Sequence, residues 1–140
     1  MPRPKHKRSV IHPPVMEGFK PFGVPLKDLE PVILLYEEYE SIRLCDYEGL
    51  TQQEAADSME VSRPTLTRIY EKARKAVAKA FVEGKALIIE GGDFRSDFNW
   101  YRCNDCLKLN ISKTKKQTCN YCHSRSLRLL NQVMEKPDEQ

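Results

Sequence analysis

The 140-residue chain has no apolar run long enough to cross a membrane, no glycine-rich phosphate loop and no nucleophile motif. Its three histidines fall into no catalytic pattern, so an enzyme is not expected. Net charge is only +3, and basicity alone therefore does not mark a nucleic-acid binder. Prolines, not an apolar stretch, follow the basic N-terminus, which excludes the pattern of a secretory signal. A cytoplasmic protein without membrane attachment is the expectation. Glu37, Glu38 and Glu40 read as solvated charges on one helix face, not as an acid/base pair.

What the chain does have is charge set at its two ends. Arg3, Lys5, Lys7 and Arg8 precede the first acid, Glu17, and Arg102, Lys108, Lys113, Lys115, Lys116, Arg125 and Arg128 face a single acid, Asp105. Such polarisation suits contact with phosphate.

Six prolines fall before residue 28 and Pro31 follows closely. The chain can be neither regular helix nor central strand there. Residues 1–27 read as a basic, Pro-rich arm, lying in a minor groove or adding only non-specific attraction. Phe19 and Phe22 are expected to pack onto a helical core. A helix is expected from Glu30 or Pro31 to Cys45, with Val32, Leu35, Tyr36, Tyr39 and Ile42 as its inner stripe; Cys45 reads as a small buried hydrophobe. Ala86–Glu90 is a strand candidate, either a small wing or an edge that pairs with a second copy. Residues 28–92 form the expected central domain, 93–99 a linker, 100–131 a metal module and 132–140 a polar tail.

The stretch Thr51–Tyr70 carries the most information. Thr51 and Glu54 have capping-box spacing, Ser62 is a second N-cap, and Pro64 sits in a first helical turn where a missing N–H costs little. Ala55, Ala56 and Met59 line one short helix. Leu66, Ile69, Ala73, Ala76, Val77, Ala80 and Phe81 recur at helical spacing as a buried stripe along a second helix, Arg63 to about Val82, stopped by Gly84. Glu60 stands where a turn usually has glycine. It requires a left-handed backbone, at about 1 kcal/mol, or a longer turn. Arg63, Thr65, Thr67 and Arg68 remain exposed at the start of the second helix, the position that reaches the major groove in a helix-turn-helix.

Cys103-x2-Cys106 and Cys119-x2-Cys122 are separated by twelve residues. Two such knuckles bring four thiolates together, which suits one tetrahedral zinc ion. Iron fits the same ligands, disulfides fit an exported protein, and His123 is an alternative to Cys122. Four cysteines leave no open position for water, so a structural role is expected. Alternation of Leu107, Leu109 and Ile111, and of Leu127 and Leu129, completes the pattern of a zinc ribbon.

MPRPK, FKPFGVP, LEPVILLYEEYESIRLCDYEGL and TQQEAADSMEVSRPTLTRIYEKARKAVAKAFVEGKALIIEGG together resemble the domain of unknown function 134 family, over residues 1 to about 92. The family is similar to the DNA-binding region 4 of sigma-70 factors. That resemblance implies DNA-facing roles for Gln52, Gln53, Ser62, Arg63, Thr65, Thr67 and Arg68. The chain departs from the family at Lys7 and Ile11, where relatives often carry cysteine. The resulting expectation is a mainly α fold: a sigma-70 region 4-like helix-turn-helix bundle followed by a small zinc ribbon.

The expected function is sequence-specific binding of double-stranded DNA by a transcriptional regulator, as a homodimer on a two-fold site, with Arg3, Lys5, Lys7 and Arg8 adding phosphate contacts. The alternatives are an adaptor that docks the ribbon on RNA polymerase and an RNA-binding protein.

Overall fold

Pro31 fixes an extended backbone, and the β-branched Val32 and Ile33 follow it. The chain answers with a strand, not the first turn of a helix. The structure, a computed structural model, describes residues 8–25 and 30–131; Arg3, Lys5 and Lys7 of the expected arm lie outside them. The chain divides between Phe94 and Arg95 into two compact units.

Among the described residues are the strands β1 (Arg8–Ser9), β2 (Gly18–Phe19), β3 (Val32–Leu34), β4 (Leu87–Ile89), β5 (Phe94–Arg95), β6 (Asn99–Cys103), β7 (Leu109–Ser112) and β8 (Leu127–Leu129), in three small sheets. The α-helices are α1 (Tyr36–Ile42), α2 (Gln52–Met59) and α3 (Arg63–Glu83). Helix takes 34% of these residues and strand 20%. The fold is therefore mixed α/β, which corrects the expectation of a mainly α, sigma-70 region 4-like bundle. No helix among the described residues is long and apolar enough to cross a membrane.

The difference begins in the first unit's sheet, whose order is β2-β4-β3. β3 lies parallel to β4, with Val32 opposite Leu87 and Leu34 opposite Ile89, and β2 is antiparallel to β4 on its other side. Both edges of β4 are thus paired within the chain, and it is neither a wing nor a free edge for a second copy. α1 starts only at Tyr36, where the Glu38 carboxylate accepts from the Leu35 N–H at 2.9 Å. The helix continues into a π-helical turn, Arg43–Tyr47.

Glu37, Glu38 and Glu40 are buried, not solvated. Each meets a donor that periodicity does not reveal. Glu40 accepts from Arg43 at 2.8 and 3.1 Å and from the Ile11 N–H at 3.2 Å. Glu37 accepts from the Asp93 N–H at 3.1 Å. Gly92, with φ of 116°, lets the backbone pass close enough for this; a Cβ there would run into the Glu37 carboxylate.

The helical part is held by Leu44, Ala55, Ala56, Met59 and Leu66, with Cys45, Leu50, Val61 and Tyr70 packed against them. Alanines at 55 and 56 let α2 cross α3 closely. Fully burying a side chain such as Met59 or Leu66 contributes about 1.5–3 kcal/mol. Phe19, Phe22 and Phe81, expected inside, are instead exposed.

In the second unit β6 is the centre of an antiparallel sheet ordered β7-β6-β8. Trp100 is fully buried. Its N–H donates to the Asn131 side chain at 2.7 Å, and the Asn131 amide donates back to the Phe98 carbonyl at 2.9 Å. This clamp ties the start of β6 to the chain just beyond β8.

Candidate functional site

The start of α3 is built by local chemistry. Thr51 caps α2: its hydroxyl accepts from the Glu54 N–H at 3.1 Å, and the Glu54 carboxylate accepts from the Thr51 N–H at 2.9 Å. Glu60 ends α2 in the left-handed region, φ 58° and ψ 42°, the first of the two possibilities its sequence position leaves. Ser62 then caps α3 by accepting from the Thr65 N–H at 3.3 Å, and Pro64 falls in the first turn.

Arg63 and Arg68 are exposed, and Thr65 and Thr67 are half-buried. Ser62 donates to the Thr65 hydroxyl at 2.9 Å, and Arg68 donates to the same oxygen at 3.2 Å. Gln52 reaches over from α2 to accept from the Thr67 hydroxyl. Gln53 is exposed and donates to Asp57 at 3.0 Å. Ser62, Arg63, Thr65, Thr67, Arg68 and Gln52 thus share one surface at the α2–α3 turn. No acid lies in the first turn of α3, and the first acid in the helix is Glu71. The positive end of the helix dipole is unopposed there.

Two cations missed in the sequence extend this surface. Arg68, Lys72 and Lys75 recur at spacings of four and three, so they share one helical face. With Arg8 and Thr65 they line a cavity of about 440 Å³, which Glu37 and Glu38 of α1 and Glu71 of α3 also line. Arg8 leans on Asp93 at 3.7 Å. The repeat of cations at Arg68, Lys72 and Lys75 is readable in the sequence as a helical spacing beyond the capped first turn.

The second candidate site is the cysteine cluster. The four Sγ atoms of Cys103, Cys106, Cys119 and Cys122 lie within 4.8 Å of one another. Cys103 and Cys122 are 3.5 Å apart and Cys106 and Cys119 3.6 Å. A disulfide requires about 2.05 Å. Four sulfurs at ~2.3 Å from a common tetrahedral centre are spaced by just under 4 Å, so this donor set fits one metal ion. His123 is exposed and is not part of the cluster. Its N–H donates to the Cys119 carbonyl at 3.0 Å, just as the Leu107 N–H donates to the Cys103 carbonyl at 3.0 Å. Leu107 and His123 both take a left-handed backbone, φ 66° and 63°. They are equivalent positions in two copies of one knuckle.

The knuckles aim N–H groups at sulfur. The Cys106 N–H points at Cys103 Sγ from 3.4 Å and lowers that thiol's pKa. At Cys119 burial pushes upward, but donation from the Cys122 and Tyr121 N–H groups and the Asn110 amide outweighs it and brings the pKa to about 6. The Lys108 N–H lowers Cys106, yet burial and the sulfurs of Cys119 and Cys103 leave it raised. Cys122 has the Ser124 N–H in its favour, but the Cys103 sulfur and burial drive it to about 12. The Cys106 and Cys122 thiols thus resist ionisation beside the neighbouring sulfurs, a conflict that a cation at the centre removes.

The chain matches the family described as "Protein of unknown function DUF134" over residues 1–97, and it belongs to that family. A UPF0251 protein of Chloroherpeton thalassium is 44% identical over 129 residues, covering 91% of this chain and 85% of the relative. One from Halothermothrix orenii is 48% identical over 106 residues, covering 76% and 78%. One from Moorella thermoacetica is 44% identical over 128 residues, covering 91% and 86%. The longer alignments extend past residue 97 into the second unit. None of the solved structures matches the chain significantly.

Proposed function

We propose that this family member reads double-stranded DNA in a sequence-dependent way, as a transcriptional regulator, and that its four cysteines hold one structural zinc ion. The observation that carries the reading is the start of α3. A helix capped by Ser62, free of acid until Glu71, presents Arg63, Thr65, Thr67 and Arg68 together. As the second helix of a helix-turn-helix, it enters a major groove with these side chains at base edges. Arg63 and Arg68 suit guanine or phosphate, and Gln52 suits adenine or phosphate. Lys72, Lys75 and Arg8 lie on the cavity-side face, where a phosphate strand runs beside the helix. The zinc ion orders the second unit and takes no part in chemistry, since all four positions are filled by sulfur.

A second reading docks the ribbon on RNA polymerase or RNA. Lys108 lies over the Tyr121 ring at 4.7 Å and Lys113 over Phe98 at 5.6 Å, which supplies cations backed by aromatic rings.

Selection from fragmented genomic DNA by the metal-loaded protein at physiological salt tests the first reading, beside the Arg63→Ala/Arg68→Ala variant. A recurrent motif that the variant loses is the expected result. Equal, motif-free recovery by both proteins overturns it in favour of the second.

A further inference from the structure

The far end of α3 carries an apolar face that the DNA reading does not use. Phe22 is 99% exposed, Phe81 86%, Phe19 62% and Val24 40%. They are contiguous: all four line one cleft together with Val77 and Ala80. Phe81 sits at a helical position in step with Val77 and Ala80, so the helix aims it into this cleft. Phe19 and Phe22 arrive from the segment around β2 on the other side.

At roughly 200 Å² per phenylalanine, these rings leave on the order of 500 Å² of apolar surface open. A contiguous patch of that size is toward the upper end of what a monomer exposes, and such patches often serve a function. The rim is charged: Lys20 and Lys85 border the cleft, and Lys85 pairs with Glu83 at 3.2 Å. An apolar centre inside a charged rim is the anatomy of a protein–protein interface.

We propose that this face joins two copies of the chain about a two-fold axis, with Phe22 and Phe81 at its centre. A two-fold pair buries the same patch twice, about 1,000 Å² before its polar rim is added, which reaches the lower threshold for a biological interface. β4 offers no competing edge, because β2 and β3 already occupy both sides. The position along α3 also matters. Sixteen residues separate Thr65 from Phe81, about 24 Å at 1.5 Å per residue. Two such helices joined at their Phe81 ends carry their Thr65 turns at opposite far ends of the pair, as a two-fold DNA site requires. The dimer stands without DNA; only this placement rests on the reading given under Proposed function.

Analytical ultracentrifugation of the full, metal-loaded chain without DNA decides the matter, across a concentration series and beside Phe22→Glu/Phe81→Glu. The expected result is a dimer for the native chain and a monomer for the variant, with unchanged helical circular dichroism. Should the double variant lose its helical signal, Phe22→Ser alone serves instead, since a fully exposed ring contributes nothing to the core; it too is expected to weaken the dimer at least tenfold. A native chain that is monomeric throughout, its patch covered by its own residues or left bare, overturns the proposal. So does a dimer that both variants leave intact. Failure of the DNA reading leaves each of these outcomes unchanged.

Discussion

The Thr67 hydroxyl donates to the side-chain oxygen of Gln52 across the α2–α3 turn, linking two positions fifteen residues apart. Both are expected DNA-facing residues, so one fixes the other. A glutamine held in one rotamer loses less entropy when it meets a base or phosphate. Gln52→Ala and Thr67→Val should therefore weaken binding non-additively. On a motif recovered by selection, fluorescence anisotropy of the two single variants and the double variant should show a coupling of about 1 kcal/mol. Strict additivity would mean that the contact positions nothing.

Arg63, Arg68, Lys72 and Lys75 can be sorted by salt. A residue that touches only phosphate lowers affinity for every sequence alike and reduces the slope of log K against log salt by about 0.9. A residue that reads a base relaxes preference at one position, at about 1–3 kcal/mol. Lys72→Ala and Lys75→Ala should show the first behaviour, and Arg63→Ala or Arg68→Ala the second. The check is to titrate each variant on matched and mismatched duplexes at several salt concentrations. Unchanged slopes for both lysine variants would remove the phosphate face from the interface.

Glu40 is fully buried and holds both the Arg43 guanidinium and the Ile11 N–H. Glu40→Ala leaves the Arg43 guanidinium with only the more exposed Glu48 carboxylate, at 3.1 Å, and deprives the Ile11 N–H of its acceptor. The expected loss is about 1–3 kcal/mol, read as a lower midpoint in urea unfolding followed by circular dichroism. A loss below 1 kcal/mol would show that water reaches this pair freely.

What was legible in the sequence was what short range decides. The Thr51 and Ser62 caps, Gly84 at the end of α3 and the two cysteine knuckles each depend on residues a few positions apart, and each reads from spacing. The misreadings of Val32–Leu34 and Glu37 share one cause: partners distant in sequence. Val32–Leu34 looks like a helix start until β4, more than fifty residues on, supplies its parallel neighbour. Glu37 looks solvated until the Asp93 N–H, 56 residues away, meets it. Phe81 keeps perfect helical step with Val77 and Ala80, yet period alone does not say whether the end of a buried stripe still faces protein.

Glu60 offers a test of local strain. Its left-handed backbone costs a residue with a Cβ about 1 kcal/mol. Glu60→Gly should relieve most of that, less the extra entropy glycine loses on folding. A net gain of up to about 1 kcal/mol in urea unfolding is expected, with no change in DNA affinity. A loss of stability would mean that the glutamate side chain contributes more than its backbone costs.

The metal prediction rests on the four thiols and on Trp100, the only tryptophan in the chain. Metal uptake must strip protons from those thiols still protonated at pH 7. Cys119, near 6, is already ionised and Cys103 is lowered, whereas Cys106 is raised and Cys122 stands near 12. Uptake should thus release about two to three protons per ion, fewer than the four of unperturbed thiols, measurable by calorimetry in buffers of different ionisation enthalpy. The signs for the metal-free unit oppose each other. The depressed pKa of Cys119 favours folding above the ordinary thiol value, and that contribution fades as pH falls through about 6. The raised pKa of Cys122 favours folding below the ordinary value and fades as pH climbs toward about 12. In the loaded protein all four sulfurs are thiolates, so acid drives the ion out. Because a unit this small depends on its ion for folding, chelation or acid should shift Trp100 emission to the red while the helical signal of α1 to α3 persists. Elemental analysis of the purified protein should find one zinc per chain, and iron in its place would correct the identity of the ion without moving the ligands. Release of four protons, or of none, would contradict the uneven ionisation on which the prediction depends.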